Sequence, residues 1–274
     1  MTVAPPARIN LIAVIVATTA ALIGRAWLQV ALLEDGLQKD YAADLSYLVV
    51  PPVLLILLFP ILRHHNTFIF ELFQRNRLST KLILHAIAIG FLLRLAAWSH
   101  LIAGVSFGWY RNLDPTAIVG PTFTFSCAAP GAVALGVIVM AMLVPFVEEV
   151  ICRGLIQSWL SHRGAIYAIS FSACSFMLAH SPSAWGFAFL AGLVFGVQFW
   201  QTKTLWSSLI THATVNGLIQ LDWRCLHGHW NPPVSELPIL ATGITSACVL
   251  TLSFLSIIYL LWRKKTGVHY APRP

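Results

Sequence analysis

The stretch GAVALGVIVMAMLVPFVEEVICRGLIQSWL, residues 131–160, decides the class of fold. Its first half is apolar without alternation, and the whole run exceeds the roughly 20 helical residues that cross a hydrocarbon core. Lipid offers no partner to backbone N–H and C=O groups, so a run of this kind is a helix; a barrel strand would alternate apolar and polar residues. Its second half places Glu148, Glu149 and Arg153 where ionisable groups are costly.

The rest of the chain repeats the pattern. Of 274 residues 58% are hydrophobic and 10% charged, with a mean hydropathy of +0.77, against about 25% charged in an average soluble domain. Such a composition cannot cover a soluble globule, which excludes a large soluble catalytic domain. Apolar segments fall at about 9–33, 45–62, 82–104, 131–160, 164–181, 183–201, 204–221 and 238–262. The expected fold is all-α: a polytopic transmembrane helix bundle of about eight spans.

Loop charges set the orientation. Glu34, Asp35, Asp40 and Asp44 outweigh Lys39 after the first segment, whereas Arg63, Arg75, Arg77 and Lys81 follow the second and Arg263, Lys264 and Lys265 the last. Basic loops stay on the cytoplasmic side, so both termini are expected there. Residues 106–130, rich in Gly, Pro and aromatics, are then expected outside, at the interface. The net charge of +7 is accounted for by these loops and calls for no nucleic-acid partner. The five cysteines are scattered without C-x-x-C spacing, which argues against a disulfide framework or a thiolate metal site. The first apolar run lacks a convincing cleavage site and reads as an uncleaved span.

A charge at the bilayer centre costs about 2.5–3.5 kcal/mol even on lenient scales, so ionisable groups within spans are functional candidates. Arg25 and Arg94 are isolated and read as structural. The concentrated set is Glu148, Glu149, Arg153, His180, His212 and Asn216. Glu149 and Arg153, four apart, share a helix face and can pair, while Glu148 is turned about 100° away. Pro145 removes a backbone hydrogen bond just upstream and can kink the helix to admit water. A plainer reading leaves both glutamates as surface carboxylates at a helix end. His180 closes its span before Ser181 and Pro182, as interfacial histidines do. His212 and Asn216 lie at i and i+4 and aim two hydrogen-bonding groups at one spot, either as a site or as glue between helices. Gly192 and Gly196 form a G-x-x-x-G, a packing motif that identifies no chemistry. His64, His65, His227 and His229 fall in loops and receive no role.

Together these groups supply a carboxylate, imidazoles and an amide on separate helices. Amide hydrolysis needs a base to activate water and donors for the oxyanion. Glu148 is the candidate base.

The segments Glu148-Glu149-Val-Ile-Cys-Arg153, Phe176-Met-Leu-Ala-His180 and His212-Ala-Thr-Val-Asn216 resemble, in order, the E-E-x-x-x-R, F-x-x-x-H and H-x-x-x-N signatures of the CPBP intramembrane proteases. That family includes type II CAAX prenyl proteases and bacterial relatives linked to bacteriocin processing. The resemblance covers roughly residues 131–221. It implies that Glu148 activates water with His180 beside it, that His212 and Asn216 hold the oxyanion, and that Glu149 and Arg153 support the site. The chain then divides into N-terminal spans with an external loop (1–130), the CPBP-like catalytic core helices (131–221), and an external loop, last span and basic tail (222–274). The implied activity is an intramembrane endopeptidase acting near the C-terminus of a membrane-anchored protein or peptide. A non-catalytic immunity or scaffold factor and a proton-coupled transporter are the alternatives.

No cofactor is expected; zinc held by Glu148, His180 and His212 is the competing reading, since such a ligand set suits catalytic zinc. Asn216, four residues after His212, suits an oxyanion donor better than a metal ligand. The compact, loop-poor chain suits a bacterial inner membrane. One geometric tension stands. Glu148 lies toward the inner end of its segment, and His180 about 15 residues, roughly 22 Å, from the inner start of its own. A tilt, a kink at Pro145 or a fourth helix protruding past residue 160 would bring them level.

Overall fold

The computed structural model describes residues 10–74, 78–109, 130–180, 184–220 and 239–266, and among them every regular element is a helix. In chain order these are α1 (Leu11–Glu34), α2 (Lys39–Leu48), α3 (Val50–Leu57), α4 (Phe59–His64), α5 (Asn66–Gln74), α6 (Thr80–Ser106), α7 (Pro130–Arg163), α8 (Ala165–Leu178), α9 (Trp185–Thr202), α10 (Leu205–Gln220) and α11 (Ile239–Thr266).

Local chemistry sets the boundaries. Asn10 caps α1 by accepting the Ala13 N–H at 3.2 Å, satisfying one of the orphan donors of the first turn. Gly164 separates α7 from α8 with φ +98°, a conformation that side chains disfavour. Pro51 and Pro60 sit in the first turns of α3 and α4, where a missing N–H costs nothing. They divide the expected second span into short pieces.

Among the described residues four helices are long and apolar enough to cross a membrane: Ile12–Glu34, Thr80–Gly104, Pro130–Arg163 and Ala241–Trp262. The chain is an integral membrane protein. Of the eight expected segments, the other four are shorter, interrupted or more polar. α8 has 14 residues and α10 has 16, about 21 and 24 Å at 1.5 Å per residue. α10 also buries Ser207, Ser208, Thr211 and His212. The external stretch expected at 106–130 lies mostly outside the described residues, as does all of 222–238.

Packing follows helical periodicity. On α6, Ala86, Ile89, Leu93, Ala96 and Ala103 are fully buried, whereas Leu84, Ile87 and Phe91 on the other face are exposed. The buried stripe meets α10 and α11. Gly90 lies so close to α10 that a Cβ there would stand 2.7 Å from Thr214 Cβ. α8 and α9 approach in the same way, a Cβ on Gly192 falling 3.0 Å from Ala173 Cα. Large apolar side chains that remain exposed, such as Trp27, Ile56 and Ile166, are at home against acyl chains.

The depth tension narrows in α7. The helix continues to Arg163, so Glu148 precedes Gly164 by 16 residues and His180 follows it by 16. Each is then about 24 Å from the shared turn. Ser172 Oγ donates to Cys152 O at 2.9 Å, which offsets the two helices by four residues and sets Glu148 level with the turn before His180.

Candidate active site

α7 is not a uniform α-helix. Residues Val137–Leu143 and Val150–Gln157 are wound as π-helix, flanking the α-helical turns Val144–Glu149 that carry both glutamates. Such wide turns are uncommon and concentrate at functional sites. Pro145 stands in the first turn after the upstream π segment, where its missing N–H breaks the ladder.

Glu149 and Arg153 form the expected pair. Arg153 donates to Glu149 Oε1 at 3.0 Å, and their side chains are 1% exposed for Glu149 and 0% for Arg153. Reading Glu149 as a surface carboxylate therefore fails. The guanidinium also donates to the Gly192 carbonyl at 3.1 Å and lies over the rings of Phe176 and Phe195, at 4.9 and 5.3 Å. One turn on, Gln157 donates to the Gly196 carbonyl at 2.8 Å. The G-x-x-x-G thus does more than admit a close neighbour: the carbonyls of both glycines accept from α7. Gln157 was missed by sequence reasoning, though its i+4 relation to Arg153, matching that of Gly196 to Gly192, carried the signal.

α10 brings His212 to both glutamates. Its Nδ1 lies 3.1 Å from Glu149 Oε1 and its Nε2 3.6 Å from Glu148 Oε2. An ionised carboxylate only accepts, so the proton at Nδ1 is assigned by the Glu149 contact, and Nε2 faces Glu148. The imidazole is 3% exposed, stacked on Phe195 at 4.9 Å and edge-on to Phe176 at 5.3 Å. Its orientation is held on every side.

Glu148 differs from Glu149. It is 22% exposed, and its Oε2 has no hydrogen-bond partner among the described residues. It lines a cavity of about 220 Å³ between α1, α2, α3, α7 and α8, with Leu22, Tyr47, Leu54, Phe171 and Ala179 among its walls. The lining is overwhelmingly apolar, and among the described residues Glu148 is its sole charged member.

His180 lies at the end of α8, with Nδ1 2.9 Å from the Phe176 carbonyl and its ring 4.6 Å from that of Phe176. Phe176, a member of the second signature, therefore stands between His180, His212 and Arg153. Asn216 Nδ2 donates to the Met140 carbonyl at 2.9 Å. Among the described residues no three His, Cys, Asp or Glu side chains converge as metal ligands. Both His212 nitrogens face carboxylates.

Residues 130–218 match the family model described as Type II CAAX prenyl endopeptidase Rce1-like. This segment is similar to the Rce1-like proteases. The Rce1-like segment runs from α7 through most of α10 and contains all the site residues above, whereas α1–α6 and α11 lie outside it. No curated protein and no solved structure matches the chain. The family that this segment resembles consists of peptide-bond hydrolases. The Glu148 cavity joins this segment to α1, α2 and α3, which the family match does not reach.

Proposed function

We propose that the chain is an intramembrane endopeptidase that cleaves a peptide bond near the C-terminus of a membrane-associated protein or peptide, with Glu148 activating the attacking water. The observation that carries this reading is the line Glu149–His212–Glu148: a paired carboxylate holds one imidazole nitrogen while the other faces Glu148, the charged residue that lines an apolar cavity.

In the proposed reaction Glu148 takes a proton from water as the oxygen adds to the scissile carbonyl carbon. The tetrahedral intermediate then collapses, the C–N bond breaks, and the proton held by Glu148 passes to the departing amine. When His212 carries a second proton, its Nε2–H is a donor aimed beside Glu148, and the second N–H of Asn216 is the other candidate for the oxyanion. His180, about one helical turn beyond Glu148, is assigned to assist the water. The reaction uses no metal; the ligand geometry above supports that choice. The apolar cavity fits a hydrocarbon chain or apolar side chains of a membrane-anchored substrate, which the CAAX prenyl endopeptidase description of the family favours. We place the protein in a bacterial inner membrane with both termini cytoplasmic.

Mass spectrometry of membrane proteins from wild-type and Glu148→Ala cells tests the reading. Uncleaved C-terminal segments should accumulate in the variant. Unchanged precursors would overturn proteolysis, and full function of Glu148→Ala would favour a scaffold. Purified enzyme that lost activity to a chelator and regained it with zinc would replace the metal-free mechanism.

A further inference from the structure

The upstream π segment of α7 ends with the Val144 N–H donating to the Val139 carbonyl, five residues back. The next donor in that ladder would be residue 145 and the next acceptor the Met140 carbonyl. Residue 145 is proline and has no N–H. The Met140 carbonyl is therefore left open by the backbone, and it is this carbonyl that the Asn216 side chain fills at 2.9 Å. The two helices also meet at Gly217, where a Cβ would be in ordinary contact with Ala141 Cβ at 3.5 Å.

We propose that Pro145 and Asn216 act as one positioning device: Pro145 withholds a backbone donor, Asn216 supplies it from α10, and the clamp holds His212 against Glu148 and Glu149. His212 and Asn216 lie one helical turn apart on the same face of α10. The Met140 bond fixes the distal end of that face, and the two carboxylates receive the proximal end. Asn216 is thus a positioning residue through its Met140 bond, whatever its second N–H does during the reaction. Pro145 gains a role in choosing which helix completes α7. The kinetic part of this inference rests on the proposed roles of Glu148 and His212; the structural part does not.

A double-mutant cycle separates them. In the wild-type background Asn216→Ala should lower the unfolding temperature in detergent. It should also reduce kcat by about tenfold to a hundredfold with KM little changed, as small misplacements of reacting groups do. Pro145→Ala restores an N–H that can close on Met140, so in that background Asn216→Ala should lose less than about threefold in kcat and little in unfolding temperature. Equal losses in both backgrounds would overturn the clamp and leave Asn216 as an oxyanion donor alone. Should Pro145→Ala fail to fold, Asn216→Asp serves. It keeps the shape without the N–H, and unchanged unfolding temperatures for both Asn216→Asp and Asn216→Ala would also sink the proposal. A coupled thermal cycle in a protein that cleaves nothing would retain the clamp and reject the protease mechanism. An additive cycle in an active enzyme would do the reverse.

Discussion

His212 holds its Nδ1 3.1 Å from Glu149 Oε1, on the same oxygen that receives Arg153 at 3.0 Å. One carboxylate oxygen thus ties an ion pair within α7 to an imidazole on α10. Glu149 is a structural partner of Arg153 and the orienting group of His212 at once. Second-sphere carboxylates of this kind fix the tautomer and direction of a working imidazole.

Glu149→Gln should destabilise the protein severely. It leaves the Arg153 guanidinium uncompensated at 0% exposure, and breaking one side of a buried pair costs about 3–5 kcal/mol. Replacing both partners with apolar residues, as in Glu149→Leu with Arg153→Met, should recover much of that loss without recovering activity, because His212 still lacks its acceptor. Chemical unfolding in detergent, read beside turnover, checks both arms.

Glu148→Gln should behave in the opposite way. Its Oε2 is buried without a hydrogen bond among the described residues, so stability should shift by no more than about 1 kcal/mol. Loss of the base should cost about 10²–10⁴ in kcat. A variant that unfolds as readily as Glu149→Gln would show the two glutamates to be equivalent, contrary to this assignment.

Gly192→Ala should weaken the α8–α9 contact by about 1–3 kcal/mol, the usual range for overpacking. Its Cβ would meet Ala173 Cα at 3.0 Å, and backbone cannot give way as a flexible side chain can. Gly24→Ala, in α1 with nothing within 4 Å, should instead gain up to about 1 kcal/mol from helix propensity. Thermal unfolding of the two variants should move in opposite directions.

Ser175→Trp should fill part of the cavity beside Glu148. Ser175 lines that space, and its hydroxyl bonds its own helix, at the Phe171 carbonyl. If substrate enters there, kcat/KM should fall at least about tenfold, with unfolding temperature nearly unchanged. Unaltered kinetics would move the substrate path elsewhere.

Much of the site was legible before any tertiary contact was known. The pairing of Glu149 with Arg153 and the shared face of His212 and Asn216 follow from 3.6 residues per turn, a rule that needs no neighbour. The divergence of Glu148 from Glu149 follows from the same rule, and the structure gives it substance as buried against cavity-facing. What Gln157 and the glycine carbonyls do was not legible, because an acceptor on α9 has no side chain to announce it. Of the eight expected spans, four are matched by helices of membrane-crossing length and apolarity among the described residues. Apolarity marks burial in protein as well as in lipid, so α8 and α10 resemble spans while being short or lined with buried polar groups.

The sequence by itself determined the helical, membrane-embedded class and the local pairs on single helices, because both depend on composition and on a period of a few residues. The tertiary structure decided which group faces Glu148, which carbonyls receive Arg153, Gln157 and Asn216, and where a cavity opens. Those depend on how helices far apart in the chain come into register, and on the carbonyl left open by Pro145 that only another helix can fill.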